Sequence, residues 1–316
     1  MKNLTRIETA AFLAQNDNFA IVTHRRPDGD TLGSGAALCR ILRAMGKTAH
    51  MLRNPEATPR YGWLQEGLTK EAQEEGDTVV TVDVASPGML GESSAHLAEK
   101  AVLRIDHHGT ATSFTEFELV DPDAGACAEI IWDLAVELGV SMDKETAEAI
   151  YVATSTDTGC FRFSNTTAHT FTVAAACAAA GANVYQRNQE LFETVSLTRL
   201  KIQAWIIDNM RLLREGSVAL VAIPKAVEES IGVTEDDMDN ISNFPRTIAG
   251  VCMAATLRET KDGGTKFSVR AIPGWDAAAV CAKFGGGGHA GAAGANTALS
   301  LAEAAAAVEA VLTEME

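Results

Sequence analysis

Four stretches of the sequence bring together side chains that bind cations or move protons. They are His24-x-x-x-Asp28-x-Asp30, the lone Asp83 that ends the run TVVTV, Asp106-His107-His108-Gly109, and Asp157 within Ser155-Thr156-Asp157-Thr158-Gly159. An imidazole with two carboxylates offers nitrogen and oxygen ligands in different directions, a donor set that suits manganese, zinc or iron better than calcium. Each carboxylate also has a plainer use. Asp30 can cap a helix, and Asp83 and Asp157 can close turns, because short carboxylates readily bond nearby backbone. An acid followed by two adjacent imidazoles is harder to explain as a turn.

The elements around these stretches dictate where they lie. Residues 19–23 (FAIVT), 78–82 (TVVTV) and 101–105 (AVLRI) read as buried strands, and 33–45 as a helix. Residues 127–138, 144–154 and 168–180 also read as helices. Alternation of this kind predicts an α/β fold with a mostly parallel, doubly wound sheet. Each strand is followed at once by one of the polar clusters, and open α/β sheets bind ligands outside the carboxyl ends of their strands. The clusters are therefore expected to converge on one crevice.

A second pattern starts near residue 216. Residues 218–223, 250–257 and 266–272 read as strands, with Gly263-Gly264 as a hairpin turn between the last two. A helix is expected near 276–283, a glycine cluster follows at Gly285, Gly286, Gly287 and Gly288, and an alanine-rich helix begins near 299. The expected organisation is a catalytic domain at 1–190, a connecting helix within 191–215, and a smaller α/β domain with a mixed sheet at 216–316. A chain of 316 residues is long enough for two cores.

Composition excludes several classes. The formal net charge of −16 suits neither a long duplex nor any partner gripped through many phosphates. The longest apolar-looking run, 171–182, is about half a bilayer crossing and mostly alanine, so no membrane is expected. Six scattered cysteines without a paired spacing read as reduced thiols, and the first residues lack a signal-peptide core. The expected location is the cytoplasm.

The clusters, in this order, resemble the DHH phosphoesterase superfamily, which includes single-strand exonucleases, family II inorganic pyrophosphatases and the bacterial nanoRNase/pAp-phosphatase group. His24-x-x-Pro27-Asp28-x-Asp30-x-x-Gly33-Ser34 resembles the first motif, Asp83 the second, Asp106-His107-His108 the third and Asp157-Thr158-Gly159 the fourth. Arg270 and the stretch from Phe284 through His289 to Gly294 resemble the companion substrate-binding domain. The resemblance implies one metal on His24, Asp28 and Asp83, and another on Asp30, Asp83, His107 and Asp157, with Asp83 bridging. It further implies that Arg270, the four glycines and His289 bind nucleotide.

Four carboxylates against two divalent cations leave such a shell near neutral, so a phosphate ester approaches without net repulsion. Two ions roughly 3.5–4 Å apart activate a shared water, the expected nucleophile, and stabilise the attacking and leaving oxygens. His108, outside this ligand set, is free to bond a phosphoryl oxygen or protonate the leaving group, with Asp106 orienting a neighbour. Arg162 and Phe163 either face the cleft or pack locally. The resemblance thus implies a manganese-dependent hydrolase that cuts short single-stranded RNA to mononucleotides and removes the 3′-phosphate of pAp. Hydrolysis of c-di-AMP or pApA is the nearest alternative, and a non-catalytic nucleotide-binding module is a further one. Whether the chain acts as a monomer or a homodimer stays open.

Overall fold

The computed structural model describes residues 2–109, 112–238 and 240–315. The chain divides into two units, Met1–Thr194 and Val195–Glu316. No helix among the described residues is long and apolar enough to cross a membrane.

The first unit is built on a seven-stranded sheet: β1 (Lys2–Asn3), β2 (Phe19–Val22), β3 (Ala49–Leu52), β4 (Thr69–Lys70), β5 (Thr78–Val82), β6 (Ala101–Asp106) and β7 (Phe117–Val120). Their order is β1-β7-β6-β5-β2-β3-β4, and every pairing is parallel. The chain winds from β2 outward through β3 and β4, crosses back, then winds the other way from β5. The switch point therefore lies between β2 and β5, where adjacent loops diverge and leave a crevice. Phe19, Ile21, Val80, Leu103 and Ile105 fill the core beneath it. The short strands β1, β3, β4 and β7 carried no periodic signal of their own.

Three helices deliver polar groups to that crevice. The helix Gly29–Ala44 starts earlier than expected, because the Asp28 carboxylate accepts the Thr31 backbone N–H at 3.0 Å and caps it. The helix Lys144–Asp157 runs longer than expected and carries Asp157 as its final residue. The helix Cys127–Glu137 points its N-terminus into the site. The first two pack unusually close: a Cβ on Gly33 would stand 2.5 Å from the Ala149 carbonyl oxygen and 2.8 Å from Ala153 Cβ. Only glycine fits there.

The second unit has a six-stranded mixed sheet ordered β12-β13-β11-β10-β9-β8. Its strands are β8 (Arg211–Leu213), β9 (Val218–Ile223), β10 (Met253–Glu259), β11 (Thr265–Ala271), β12 (Gly287–His289) and β13 (Ala292–Thr297). Only β9 and β10 pair in parallel. The helix Leu197–Asn209 packs Ile202 and Ile206 with Val221 and Ile223 of β9. The connecting helix expected within 191–215 thus covers only Leu197–Asn209, and Arg211–Leu213 form a strand. Helices Ala277–Ala282 and Leu301–Glu314 join the core on Phe267 and Val269.

Candidate metal centre

The carboxyl ends of β2, β5 and β6 and the end of the helix Lys144–Asp157 bring three groups of ligand atoms together. His24, Asp28 and Asp83 form one, Asp30, His107 and Asp157 a second, and Asp83, His107 and His108 a third, each with its ligand atoms within 4.8 Å of one another. His107 belongs to the second and third groups, and Asp83 to the first and third. Asp83 Oδ2 lies 3.6 Å from His24 Nε2 and Asp83 Oδ1 lies 3.7 Å from His107 Nε2. His107 Nε2 is also 3.7 Å from Asp30 Oδ2 and from Asp157 Oδ2. Two ligands about 2.1 Å from one ion at a tetrahedral angle stand roughly 3.4 Å apart, so these spacings fit shared cations.

The histidine tautomers agree with that use. His24 Nδ1 lies 2.6 Å from the Arg25 carbonyl oxygen and His107 Nδ1 lies 3.1 Å from that of Ala124. A proton on Nδ1 serves both contacts and leaves the Nε2 lone pair facing the carboxylates. Asp83 itself has φ of 57°, a left-handed conformation that costs a non-glycine residue of order 1–3 kcal/mol and is typical of functional positions. Its Oδ1 is buried without a hydrogen bond among the described residues. An orphaned carboxylate oxygen facing two imidazoles is the feature a cation would satisfy.

Electrostatics point the same way. Burial, then the neighbouring carboxylates Asp30 and Asp28, hold the Asp83 carboxyl well above its ordinary range. Burial likewise raises Asp30, although the Cys127 N–H (2.7 Å), the Ala128 N–H (3.1 Å) and Ser34 Oγ (2.8 Å) all donate to it. Asp157 is pushed up to about 7, by burial and then by Asp30. Burial lowers His107, but Asp30 and Asp157 outweigh it, and the ring ends above its usual value. These are carboxylates crowded together without enough positive charge, which divalent cations would supply. Cys127, buried against the same carboxylates, has its thiol held far above the usual range and is no candidate nucleophile.

Asp106 is fully buried and accepts three bonds on Oδ1: the His107 N–H (2.8 Å), the His108 N–H (3.2 Å) and His108 Nδ1 (2.8 Å). His108 is thereby fixed with Nε2 as its available atom. Three residues escaped the sequence reading. Thr31 Oγ1 contacts His24 Nε2, Asp28 Oδ1 and Asp83 Oδ2, and its place three residues after the capping Asp28 was the one clue. Asn165 Nδ2 reaches Asp157 Oδ2 at 3.3 Å and the Gly125 carbonyl at 2.8 Å. Asn54 Nδ2 donates to the His24 carbonyl at 2.7 Å. Arg162 Nε donates to the Gly159 carbonyl at 2.6 Å, and the Phe163 ring lies over Gly159, so both have local roles.

In the second unit, Arg270 pairs across β11 with Ala292 of β13, which pairs in turn with His289 of β12. Residues directly opposite share a sheet face, so Arg270 and His289 stand on one face two strand spacings apart, roughly 10 Å. The glycine cluster is only partly a free loop. A Cβ on Gly286 would meet the Gly294 carbonyl at 2.3 Å and one on Gly288 the Ala292 carbonyl at 2.5 Å, so the hairpin itself requires both. Nothing crowds a Cβ on Gly285 or Gly287 within 4 Å.

With this geometry in place, the chain's relatives are informative. Residues 18–154 match the DHH family N-terminal domain and residues 217–314 the DHHA1 domain. The bifunctional oligoribonuclease and PAP phosphatase NrnA of Thermus thermophilus is 34% identical over 278 residues, 87% of this chain and 82% of that one. An exopolyphosphatase-related protein from Bacteroides fragilis shares the fold with a TM-score of 0.88 at 24% identity, over 98% of this chain and 95% of the other. RecJ of Thermus thermophilus, solved in complex with Mn2+, shares it more loosely, with a TM-score of 0.52 at 17% identity over 98% of this chain and 55% of RecJ. Likeness of this extent to a relative covering most of both chains, with the two domains matched in chain order, establishes that the chain belongs to the DHH family.

Proposed function

We propose that the chain is a two-metal phosphoesterase that hydrolyses short oligoribonucleotides to mononucleotides and pAp to AMP. The observation that carries this reading is Asp83, whose two oxygens face two different ligand groups. The names of the curated relative, an oligoribonuclease and PAP phosphatase, support the substrate class. In this reading His24, Asp28 and Asp83 hold one cation, and Asp30, Asp83, His107 and Asp157 the other. The mixed imidazole and carboxylate donors suit manganese, zinc or iron, and manganese is the metal proposed. When bound, the two cations supply an activated water and positive charge for the reacting phosphoryl oxygens.

The chain's own groups do the rest. Asp106 holds His108 through Nδ1, so Nε2 donates to a non-bridging phosphoryl oxygen or passes a proton to the leaving oxygen. The Cys127 helix N-terminus keeps Asp30 in place, and Asn165 keeps Asp157 in place. Arg270 and His289, with the open glycines Gly285 and Gly287 and the hairpin glycines Gly286 and Gly288, bind the nucleotide away from the reacting bond. The reading includes a cytoplasmic location and a short single-stranded RNA or nucleotide as partner.

The test is product analysis over time on labelled RNA from dinucleotide to long polymer, alongside pAp, pApA, c-di-AMP and pyrophosphate, with manganese, magnesium and chelator arms. Dinucleotide and pAp should be cleaved, and Asp83→Ala should abolish turnover while nucleotide binding survives. Turnover that persists in chelator or in Asp83→Ala would sink the reading. Preference for c-di-AMP over short RNA would transfer it to the cyclic dinucleotide.

A further inference from the structure

The first unit holds a second concavity beside the candidate metal centre, about 200 Å³ in volume, at the carboxyl ends of β2 and β3. It lies on the flank of β2 opposite to β5. Its floor is apolar: Val22 and Leu52, the last residues of their strands, are 1% and 9% exposed. Its rim is polar and mixed in charge, with Arg25, Arg53 and His96 against Glu56 and Glu71, and Ser93 among them. Among the described residues the side chains of Arg25 and His96 have no hydrogen-bond or ion-pair partner. Arg53 bonds Glu71 through Nε at 2.5 Å, which leaves its two terminal nitrogens to other partners.

Asn54 ties this wall to the loop that carries His24. Its Nδ2 donates to the His24 carbonyl and to Thr23 Oγ1 (3.0 Å), while its Oδ1 accepts the Glu56 N–H at 3.1 Å. The amide is satisfied within the fold and acts as a brace. Arg25 directly follows His24, about 3.8 Å away from Cα to Cα. A nucleotide whose phosphate sits by His24 therefore has its base within reach of the cavity mouth.

Size selects the occupant. A phosphate alone would leave most of this space empty, and pockets for whole drug-sized ligands start at roughly 300 Å³. One base with part of its ribose lies between these limits. An apolar floor under planar, hydrogen-bonding rim groups is how a flat heteroaromatic ring with polar edges is held. We infer that the cavity is a nucleoside subsite, holding the base on one side of the scissile phosphate and so anchoring short fragments to the catalytic unit.

This inference rests on the nucleotide-hydrolase reading, and the experiment separates the two. Under manganese, kcat/KM is measured for 5′-phosphorylated diadenylate, for its two abasic versions, for the dinucleotide without its 5′-phosphate, and for bis(p-nitrophenyl) phosphate, which has no base. In the unaltered protein, loss of the base on the held side should lower kcat/KM about tenfold or more. Ser93→Trp, which fills the cavity with an indole, should lower the intact dinucleotide by a similar factor and leave the abasic substrate no worse than before. Bis(p-nitrophenyl) phosphate should follow neither change. His96→Ala opens the rim instead of filling the cavity and should give a smaller loss with the same dependence on the base, so the test survives if Ser93→Trp does not fold. No cleavage of any nucleotide by the unaltered protein would remove the functional reading itself. Cleavage that is indifferent to the abasic change in the variants, as in the unaltered protein, within twofold, would overturn the subsite alone. A loss that follows the 5′-phosphate instead of the base would also overturn it and assign the cavity to a terminal phosphate.

Discussion

A single methyl group at Gly33 tests whether two packed helices set the spacing of the candidate ligands. Gly33→Ala places a Cβ 2.5 Å from the Ala149 carbonyl, about 0.9 Å short of the 3.4 Å where ordinary contact begins. The obstacle is backbone, so no side-chain rotation relieves it, and the helices Gly29–Ala44 and Lys144–Asp157 must separate. Helix propensity works against this, since alanine is favoured over glycine by about 1 kcal/mol in a helix interior. Overpacking costs typically about 1–3 kcal/mol, and more where the contact cannot move. The clash should win by about 1–2 kcal/mol, a fall in Tm of roughly 2–8 °C for a unit of this size.

The effect on metal should be larger. Asp30 sits three residues before Gly33 and Asp157 four after Ala153, and both face His107 Nε2 at 3.7 Å. Metal–ligand distances tolerate only about 0.2 Å. Manganese affinity, read by calorimetric titration or by the EPR signal of free ion, should weaken at least about tenfold. Gly62→Ala is the control, because its added methyl meets nothing within 4 Å. A Gly33→Ala protein that melts at or above the unaltered temperature and binds manganese equally well would refute the argument, since propensity alone would then account for the position.

Removing metal should make stability depend on pH. Asp157 titrates near 7 in the fold against an ordinary 3.8, and Asp30 and Asp83 are also raised, so the folded state holds protons that the unfolded chain has released. That contribution is complete below about pH 4 and is lost as pH rises through about 7, on the order of 4 kcal/mol for Asp157. Melts in chelator should therefore fall from pH 5.5 to 8, and the rise in Tm on adding manganese should grow over the same interval; a chelated protein hotter at pH 8 than at 5.5 contradicts this. His108→Gln should cut kcat by about 10²–10⁴-fold while titration still counts two manganese ions, and loss of one equivalent would make His108 a ligand instead. Arg270→Ala should lower kcat/KM for a dinucleotide about tenfold or more and for bis(p-nitrophenyl) phosphate far less, because only binding outside the reacting group is removed; equal losses would count against that role.

Much of the catalytic unit was legible before any coordinates. Buried strands announce themselves as unbroken β-branched runs, and the polar residues that end them have nowhere to lie except the carboxyl edge of the sheet. His24, Asp83 and His107 could thus be sent to one edge from local pattern alone. The short strands β3 (AHML), β4 (TK) and β7 (FELV) could not be read this way, because two to four residues broken by polar side chains give neither an apolar run nor a period. The same holds for β13, whose AAGANT has one branched side chain, the terminal Thr297, and no alternation of large and small.

What only the tertiary structure decided is which neighbours complete each group. The sheet order sets β5 between β2 and β6, and that placement lets one oxygen of Asp83 face His24 and the other His107. The Cys127 and Ala128 N–H groups that hold Asp30 lie 97 and 98 residues away along the chain, and the hydroxyl of Thr31 bonds Asp83 across 52. Residue type and spacing along the chain specify which atoms are able to bind a cation or donate a proton. Distances among them are set by packing between elements far apart in sequence, and that information is carried by close contacts such as Gly33 on Ala149, which no local pattern contains.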